Sequence, residues 1–382
     1  MKPRIAIVRG KFLNAYEMQF YNPLAKTYEL TGFGSLTSYH DSFSFPVKKL
    51  MSPMDIPDFP YRLPILNRLF SDAHYLYGLE HDLRGFDLVH TAETYFHYTQ
   101  QCLNAKKMGY VKKVIATVLE NIPFNNEGIW GRTAFKARAR KELDHIIALT
   151  QKTKVALLAE GADESKISVI SHFIDTNRFA PSTKAETRRF FPKKRDFVIL
   201  FTGRLETYKG VYDILDALRI LRKDPVLNGY TWWMKFVGTG SEFGRMKEVE
   251  RYAGLNDIVS HTSSTYEEMP QIYDSADLFV APSSPTPTFD EQYCTVLLEA
   301  QAAGLPIVTT HSGGIPENVG SAAQLVNPSD PNALAYALKD FILHPEKRRA
   351  FGSLARRRAI RIHDISIGAR KISAVYESVL HS

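Results

Sequence analysis

Residues 289–306 read FDEQYCTVLLEAQAAGLP. The middle of this stretch is apolar on almost every side of a helix, through Val296, Leu297, Leu298, Ala300, Ala302 and Ala303. A helix of that pattern is buried. Yet Glu299 stands inside it, and Glu291 precedes it in a loop rich in turn residues, APSSPTPTFDEQYC (281–294). Ionised carboxylates are seldom buried without a partner, because desolvation is costly. The helix is expected to start near Thr295, which puts Glu299 close to its first turn. The backbone amides of Tyr293, Cys294 and Thr295 then point outward as unpaired donors. Such donors suit a diphosphate, and the flanking carboxylates suit sugar and ribose hydroxyls. A first-turn glutamate also complements the helix dipole, but that does not account for its apolar neighbours.

The surrounding pattern sets the fold. DLFVAPSS (277–284) and PIVTT (306–310) read as strands on either side of this helix. Upstream, DFVILFTG (196–203) is a strand, a loop follows, and a helix starts near Gly210 with apolar residues at 211, 214, 215, 218 and 221. WWMKFVGTG (232–240) is a strand ending in a glycine turn at Gly238. The first half has the same rhythm, with strands at RIAIV (4–8), FDLVHT (86–91), KVIATV (113–118), HIIALT (145–150) and 167–171. A helix is expected after the first loop as far as about Leu30, and another at about 132–144. Strands alternating with helices give α/β architecture with parallel sheets covered on both faces. Two such series, parted near 172–182, predict two Rossmann-like domains.

Ligands of such sheets bind outside the carboxyl ends of the strands. Arg204 and Lys209 lie in the loop after DFVILFTG, so two cations and a helix start converge where a phosphate could sit. Two solvated surface cations would look the same in sequence. The glycines at 238, 240 and 244 do not have the GxGxxG spacing, and neither does the first strand. That counts against a nicotinamide or flavin enzyme.

The 382 residues carry 48 Lys and Arg against 41 Asp and Glu, a net charge of +7 that favours anionic partners. Cys102 and Cys294 are far apart and lack metal-ligand spacing, as expected of a reduced cytoplasmic protein. The apolar run in MKPRIAIVRGKF is too short for a signal peptide. No stretch approaches the roughly 18 apolar residues of a membrane span.

Taken together, these motifs resemble the retaining glycosyltransferases of family 4. Glu291 and Glu299 match the family's Glu-x7-Glu signature. FTGRLETYKG resembles its Gly-Arg to Lys-Gly segment, and VGTG its Val-Gly-x-Gly turn. EAQAAGLPIVTTHSGGIPENV resembles its Glu-Ala to Gly-Gly-x-x-Glu stretch, and ISVISHFIDTNRF its linker between domains. The likeness covers roughly residues 140–380. It implies the GT-B fold, two Rossmann-like domains facing across a cleft. Residues 1–175 would bind the acceptor, with a terminal helix at 364–382 packing back on them, and 176–363 would bind the donor. It implies transfer of a hexose-type sugar, with retention, from a UDP- or GDP-linked donor to a glycan or lipid-linked acceptor. No metal or further cofactor is implied, and no Asp-x-Asp motif is present. Arg204 and Lys209 would meet the diphosphate, Glu299 the ribose and Glu291 the transferred sugar. Gly203, Gly238 and the backbone at Tyr293, Cys294 and Thr295 would complete the donor site.

The first half departs from the family pattern. In GKFLNAYEMQ, Asn14 and Ala15 stand where glycines are usual, and Glu17 matches a glutamate. In FDLVHTAETYFHY, His90 matches the first residue of a segment whose second position, often a functional histidine, is Ala92 here. Either His90 or Glu93 takes over that role, or the site works without a histidine. Glu120, after a strand end, is a further acceptor-side candidate. Cys294 replaces a common glycine, and with no Cys/His pair nearby it reads as a packed thiol. The basic clusters at 132–143 and 346–363 admit peripheral contact with the inner face of a membrane, or simply form solvated helix faces; nucleic acid is not expected. A non-catalytic sugar-nucleotide or polysaccharide binder and a GT-B sugar-nucleotide epimerase are the alternative readings.

Overall fold

Short apolar runs become central strands, and their carboxyl ends carry the candidate residues. The computed structural model describes residues 2–40, 42–182 and 197–382. It divides into two units, Met1–Phe173 with Ile365–Ser382, and Ile174–Asp364.

The first unit holds β1 (Arg4–Gly10), β2 (Glu29–Ser35), β3 (Val47–Leu50), β4 (Phe86–Ala92), β5 (Val111–Val118), β6 (His145–Ala148) and β7 (Ile167–Val169). They form a parallel sheet in the order β3-β2-β1-β4-β5-β6-β7. Ile5, Ala6, Ile7 and Val8 are buried in succession, as expected of a strand covered on both faces. The second unit holds β8 (Phe197–Thr202), β9 (Trp232–Val237), β10 (Val259–Thr262), β11 (Leu278–Ala281), β12 (Ile307–Thr310) and β13 (Gln324–Val326). Its parallel order is β10-β9-β8-β11-β12-β13. In each sheet the strand order reverses at the centre, between β1 and β4 and between β8 and β11. Ligands of doubly wound folds bind at that reversal, beyond the carboxyl ends of the strands.

Several expectations need correction. The helix expected to run to about Leu30 is two short 3-10 turns, Gln19–Tyr21 and Pro23–Lys26, and β2 begins at Glu29. Pro23 has no N–H to donate and opens the second turn instead of continuing the first. β11 stops at Ala281 because Pro282 cannot donate to the ladder. β6 stops at Ala148, and Thr150 instead caps the helix Gln151–Ala159 by accepting from the Thr153 amide. β2, β3, β10 and β13 gave no signal in the sequence. Asp196, read as opening a strand, lies outside the described residues.

The terminal helix Ile365–His381 buries Gly368, Ala369, Ile372, Val375, Tyr376 and Val379 along one face. That stripe joins Ile5, Ile7, Leu88, Ile115 and Ile147 of the first sheet in one core cluster. The helix lies close to Phe173: a Cβ on Gly368 would sit 2.3 Å from the Phe173 ring. Gly368→Val is therefore expected to lower stability to urea by about 1–3 kcal/mol. An unchanged midpoint would show that this packing is not what holds the helix.

Candidate active site

The loop after β8 and the loop after β11 meet beyond the reversal of the second sheet. Lys209 ends a 3-10 turn (Thr207–Lys209), and Gly210 follows at φ 74°, opening the helix Val211–Arg222. A Cβ on Gly210 would lie 2.0 Å from the Pro282 carbonyl oxygen, so the backbones touch here only because this residue is glycine. The approach sets Lys209 Nζ 2.6 Å from Glu291 Oε2. The Ser283 hydroxyl donates to the same oxygen at 2.8 Å. Glu291 is buried, and its backbone is pinned at both ends. Its amide donates to Asp290 Oδ1 at 3.0 Å, and its carbonyl accepts from the Gly314 amide at 2.7 Å. A Cβ on Gly313 would fall 1.8 Å from that carbonyl oxygen. Burial pulls the Lys209 ammonium down, but the Glu291 carboxylate outweighs it and holds the lysine above its usual range. Lys209 therefore stays charged across neutral pH.

Arg204 is exposed, with its guanidinium 5.5 Å from the Tyr208 ring. Tyr208 packs on Phe289 at 4.3 Å, and Lys209 Nζ lies 5.3 Å from the Phe289 ring. The two cations thus share an aromatic support rather than a common anion. Gly203 and Gly238 close the ends of β8 and β9: a Cβ on Gly238 would be 1.9 Å from the Gly203 carbonyl oxygen.

Glu299 lies in the first turn of the helix Val296–Ala302 and is only 8% exposed. Burial raises its carboxyl to about 7, against hydrogen bonds from Tyr273 and Tyr266 and the charge of Arg178. Tyr273 also shares a 2.6 Å hydrogen bond with Thr202 at the end of β8. Tyr293 turns its side chain inward, its hydroxyl 3.4 Å from His363 Nδ1, so its backbone is what remains for a ligand. Asn318 Nδ2 donates to the carbonyls of Tyr293 and Cys294. Cys294 has φ 57°, a left-handed value that glycine adopts most readily. Thr295 is the N-cap and makes no side-chain cap. Burial pushes the Cys294 and Cys102 thiols well up, which leaves both as unreactive packing residues.

In the first unit the acceptor-side candidates separate. His90 is fully buried: Nδ1 meets the Tyr21 and Tyr376 hydroxyls at 3.0 and 2.8 Å, and Nε2 meets Thr117 Oγ1 at 2.7 Å. Burial and Arg9 hold it well below the usual imidazole range, so it is a neutral core residue with both nitrogens engaged. Asn14 Oδ1 accepts from the Tyr16 amide at 2.9 Å and stabilises its own turn, and Glu17 is exposed. Glu93 and Glu120 do come together: Glu93 Oε1 accepts from the amides of Leu119 (2.8 Å) and Glu120 (3.3 Å). Sequence reasoning missed Ser283, Asn318 and the tyrosines around Glu299. Ser283 was visible in the turn-rich loop, whereas the others act through distant contacts with no local signal.

Residues 183–358 match the family model for glycosyl transferases group 1, and residues 36–178 that for glycosyltransferase family 4. The chain belongs to the family 4 glycosyltransferases. The D-inositol 3-phosphate glycosyltransferase of Paenarthrobacter aurescens is 33% identical over 220 residues, which are 56% of this chain and 51% of the relative. The MMP alpha-(1->4)-mannosyltransferase of Mycolicibacterium hassiacum is 26% identical over 257 residues, 66% of this chain and 58% of that one. The chain spans about half the length of the curated relatives it matches. Among solved structures, Anabaena Alr3699/HepE, crystallised with UDP and glucose, aligns with a TM-score of 0.77 at 17% identity, over 98% of this chain and 100% of that one. Sucrose-phosphate synthase from Thermosynechococcus elongatus aligns with the same score at 18% identity, over the whole of both chains. These likenesses show the fold, two Rossmann-like domains of GT-B type.

Two outcomes follow from the site's burial. Glu299 keeps its proton in the folded state up to about 7 but loses it near 4.5 when unfolded. Glu299 should therefore contribute a fall in stability of roughly 3 kcal/mol as pH rises from 4.5 to 7, and Glu93, raised by burial to about 8, steepens the slope and carries it past 7. Glu299→Gln should flatten that slope in urea titrations; an unchanged slope would place the titration elsewhere. Cys102 and Cys294 should resist iodoacetamide in the native protein and react in urea. Rapid native labelling of Cys294 would contradict the packing described.

Proposed function

We propose that the protein is a retaining glycosyltransferase. It would move a hexose-type sugar from a UDP- or GDP-linked donor to a hydroxyl of a glycan or lipid-linked acceptor. The observation that carries this reading is the Lys209–Glu291 pair at the strand-order reversal, with Glu299 buried on the helix that follows. The names of the relatives and the UDP and glucose bound to a structural neighbour support a nucleotide-sugar donor.

In this reading Lys209 and Arg204 meet the donor diphosphate, where negative charge grows as the anomeric carbon–oxygen bond breaks. Glu291 takes hydroxyls of the transferred sugar and supports the positive charge developing at its anomeric carbon. The acceptor oxygen forms the new bond on the same face, and its proton passes to the departing phosphate oxygen. Stabilisation by fixed charges of this kind is often the largest catalytic term. No metal ion or other cofactor is assigned a part. Ribose hydroxyls donating to Glu299 favour its ionised form, so nucleotide binding below about pH 7 should release a proton.

Among the described residues no helix is long and apolar enough to cross a membrane. The reading carries with it a cytoplasmic protein, in peripheral contact with the inner face of a membrane when the acceptor is lipid-linked. The basic clusters contribute less to such contact than their sequence implies. Arg132, Lys136 and Arg140 are paired with acids, and Arg348, Arg356 and Arg358 cap backbone carbonyls. Lys141, Arg349 and Arg361 remain exposed.

Thermal stability with UDP, GDP, ADP and CMP tests the donor site. A nucleotide at about a hundred times its dissociation constant should stabilise by roughly 2.7 kcal/mol. Calorimetry at pH 6 in buffers of different ionisation enthalpy should register the released proton. Glu291→Ala, which also destabilises the fold by leaving Lys209 without its carboxylate, should lower sugar transfer per folded molecule by about a hundredfold or more. Wild-type transfer by this variant, or indifference to every nucleotide, would sink the reading.

A further inference from the structure

The carboxyl end of the first sheet holds a second cluster of polar groups that the donor chemistry does not use. Glu93 follows β4, at the strand-order reversal, with φ 57° in the left-handed region. It is 4% exposed. Its Oε1 is fixed by the amides of Leu119 and Glu120, while its Oε2 is buried with no hydrogen-bond partner among the described residues. From Glu120 a continuous chain of contacts runs outward. Glu120 Oε2 accepts from Asn126 Nδ2 at 2.9 Å, Asn126 Oδ1 accepts from Arg132 Nη1 at 3.3 Å, and Arg132 Nη2 meets Asp72 Oδ1 at 2.6 Å. That same Asp72 oxygen holds His74 Nδ1 at 3.1 Å. The chain has loose ends: His74 Nε2, Arg132 Nε and Glu93 Oε2 are all buried and unpartnered, as is the nearby Tyr98 hydroxyl.

Buried polar atoms without partners are few in native proteins, and a group of them on one connected network calls for an explanation. Aromatic rings accompany this one. Phe12 stacks on His74 at 5.0 Å and on Phe96 at 5.5 Å, and Arg132 lies 4.9 Å from the Tyr95 ring. Rings beside aligned polar groups suit a sugar or cyclitol, which has apolar C–H faces and hydroxyl edges.

The charges decide between a neutral ligand and an anion. Burial works against the Asp72 carboxylate, but His74 and Arg132 hold it down at about 2, so it stays ionised and neutralises Arg132. Lys136 is matched by Glu160 and Glu127, and Arg140 by Glu160. Along this chain of contacts each cation meets a carboxylate, and Glu120 adds a further acid; Arg9, whose charge reaches Tyr98, is occupied by the Val8 and His90 carbonyls and the Tyr21 hydroxyl.

We propose that Glu93 and the Asp72–Arg132 network form the subsite for an uncharged polyol acceptor, with Glu93 as a specificity-determining residue that donates its carboxyl proton to an acceptor oxygen. The name acceptor subsite rests on the transferase reading above; the binding of a polyol does not. Burial raises the Glu93 carboxyl to about 8, against the Leu119 amide and Lys136 and with the help of the Glu120 carboxylate. Tyr95 and Tyr98, pushed well above the usual phenol range chiefly by burial, stay neutral beside it. Polyol affinity should therefore decline as pH rises past about 8.

The test uses the whole chain, with myo-inositol and methyl α-D-glucopyranoside as neutral probes and D-inositol 3-phosphate as the anionic one. Binding is read by calorimetry between pH 6 and 9. At least one neutral probe should bind, and the phosphate should add less than threefold. Glu93→Ala should weaken the neutral probe at least tenfold while leaving nucleotide affinity unchanged. Glu93→Gln, which keeps a donor but does not titrate, should lose less than threefold at pH 7 and abolish the decline above pH 8. The carboxyl C=O infrared band of protonated Glu93, present at pH 7 and absent from Glu93→Gln, gives a readout independent of any ligand. A phosphate ester binding tenfold more tightly would overturn the proposal. So would full affinity in Glu93→Ala, a missing band at pH 7, or no binding of either neutral probe. Nucleotides binding without polyols would remove this subsite and leave the transferase reading standing. Polyols binding without any nucleotide would do the reverse.

Discussion

The contact around which the second unit's candidate site is built is the 2.6 Å pair between Lys209 and Glu291. Both side chains are mostly withdrawn from water, and withdrawing two charges costs more than their attraction alone returns. The cost is tolerable because neither residue stands unsupported. Ser283 donates to the same carboxylate oxygen, and Gly314 and Asp290 fix the Glu291 backbone. The pairing also needs the near-contact of two backbones, which Gly210 permits against Pro282 and Gly313 permits against Glu291 itself. An ion pair of this kind contributes little as a source of stability. Its value is a fixed arrangement of opposite charges before any ligand arrives.

How much of this could be read from the sequence varied with the kind of signal. Strands buried on both faces are continuous apolar runs, so β1, β4, β5, β8, β11 and β12 were legible. β3 (VKKL), β10 (VSHT) and β13 (QLV) are short and half polar, and each lies toward or at an edge of its sheet. β2 (ELTGFGS) carries glycines that break the pattern. Glu299 announced itself by its apolar surroundings, whereas the tyrosines that hold it come from a different segment and left no local trace. His90 looked functional because histidines often are. Its partners Tyr21 and Tyr376 arrive from both ends of the first unit's sequence, and only folding reveals them.

Charge was the least legible property. A run such as RTAFKARARKEL suggests a surface awaiting an anion. In the folded chain Arg132 and Lys136 are buried against Asp72 and Glu160, and their charge organises the protein's own acids. The arginines near the terminal helix do similar work on carbonyls, satisfying helix ends and turns that would otherwise stay unpaired. Composition records how many cations there are; it does not record which of them already have partners.

Each unit keeps a carboxyl buried at the carboxyl end of its sheet and raised by that burial, Glu299 to about 7 and Glu93 to about 8. Neither makes the fold more stable at neutral pH, since an apolar side chain of similar size would avoid the desolvation. The left-handed backbone at Glu93, and at Cys294 in the loop before Glu299, adds strain of the same local kind. Such features persist where the surrounding structure over-determines them and where a ligand draws on them. The two carboxyls differ in the state a ligand would favour. Glu299 is held by donors, and in the proposed reading ribose hydroxyls would complete its ionisation, while Glu93 has one oxygen fixed by amides and the other without a partner among the described residues. On the two proposals, one fold motif used twice would present a hydrogen-bond acceptor in one unit and a donor in the other, a difference set by neighbours rather than by the residue itself.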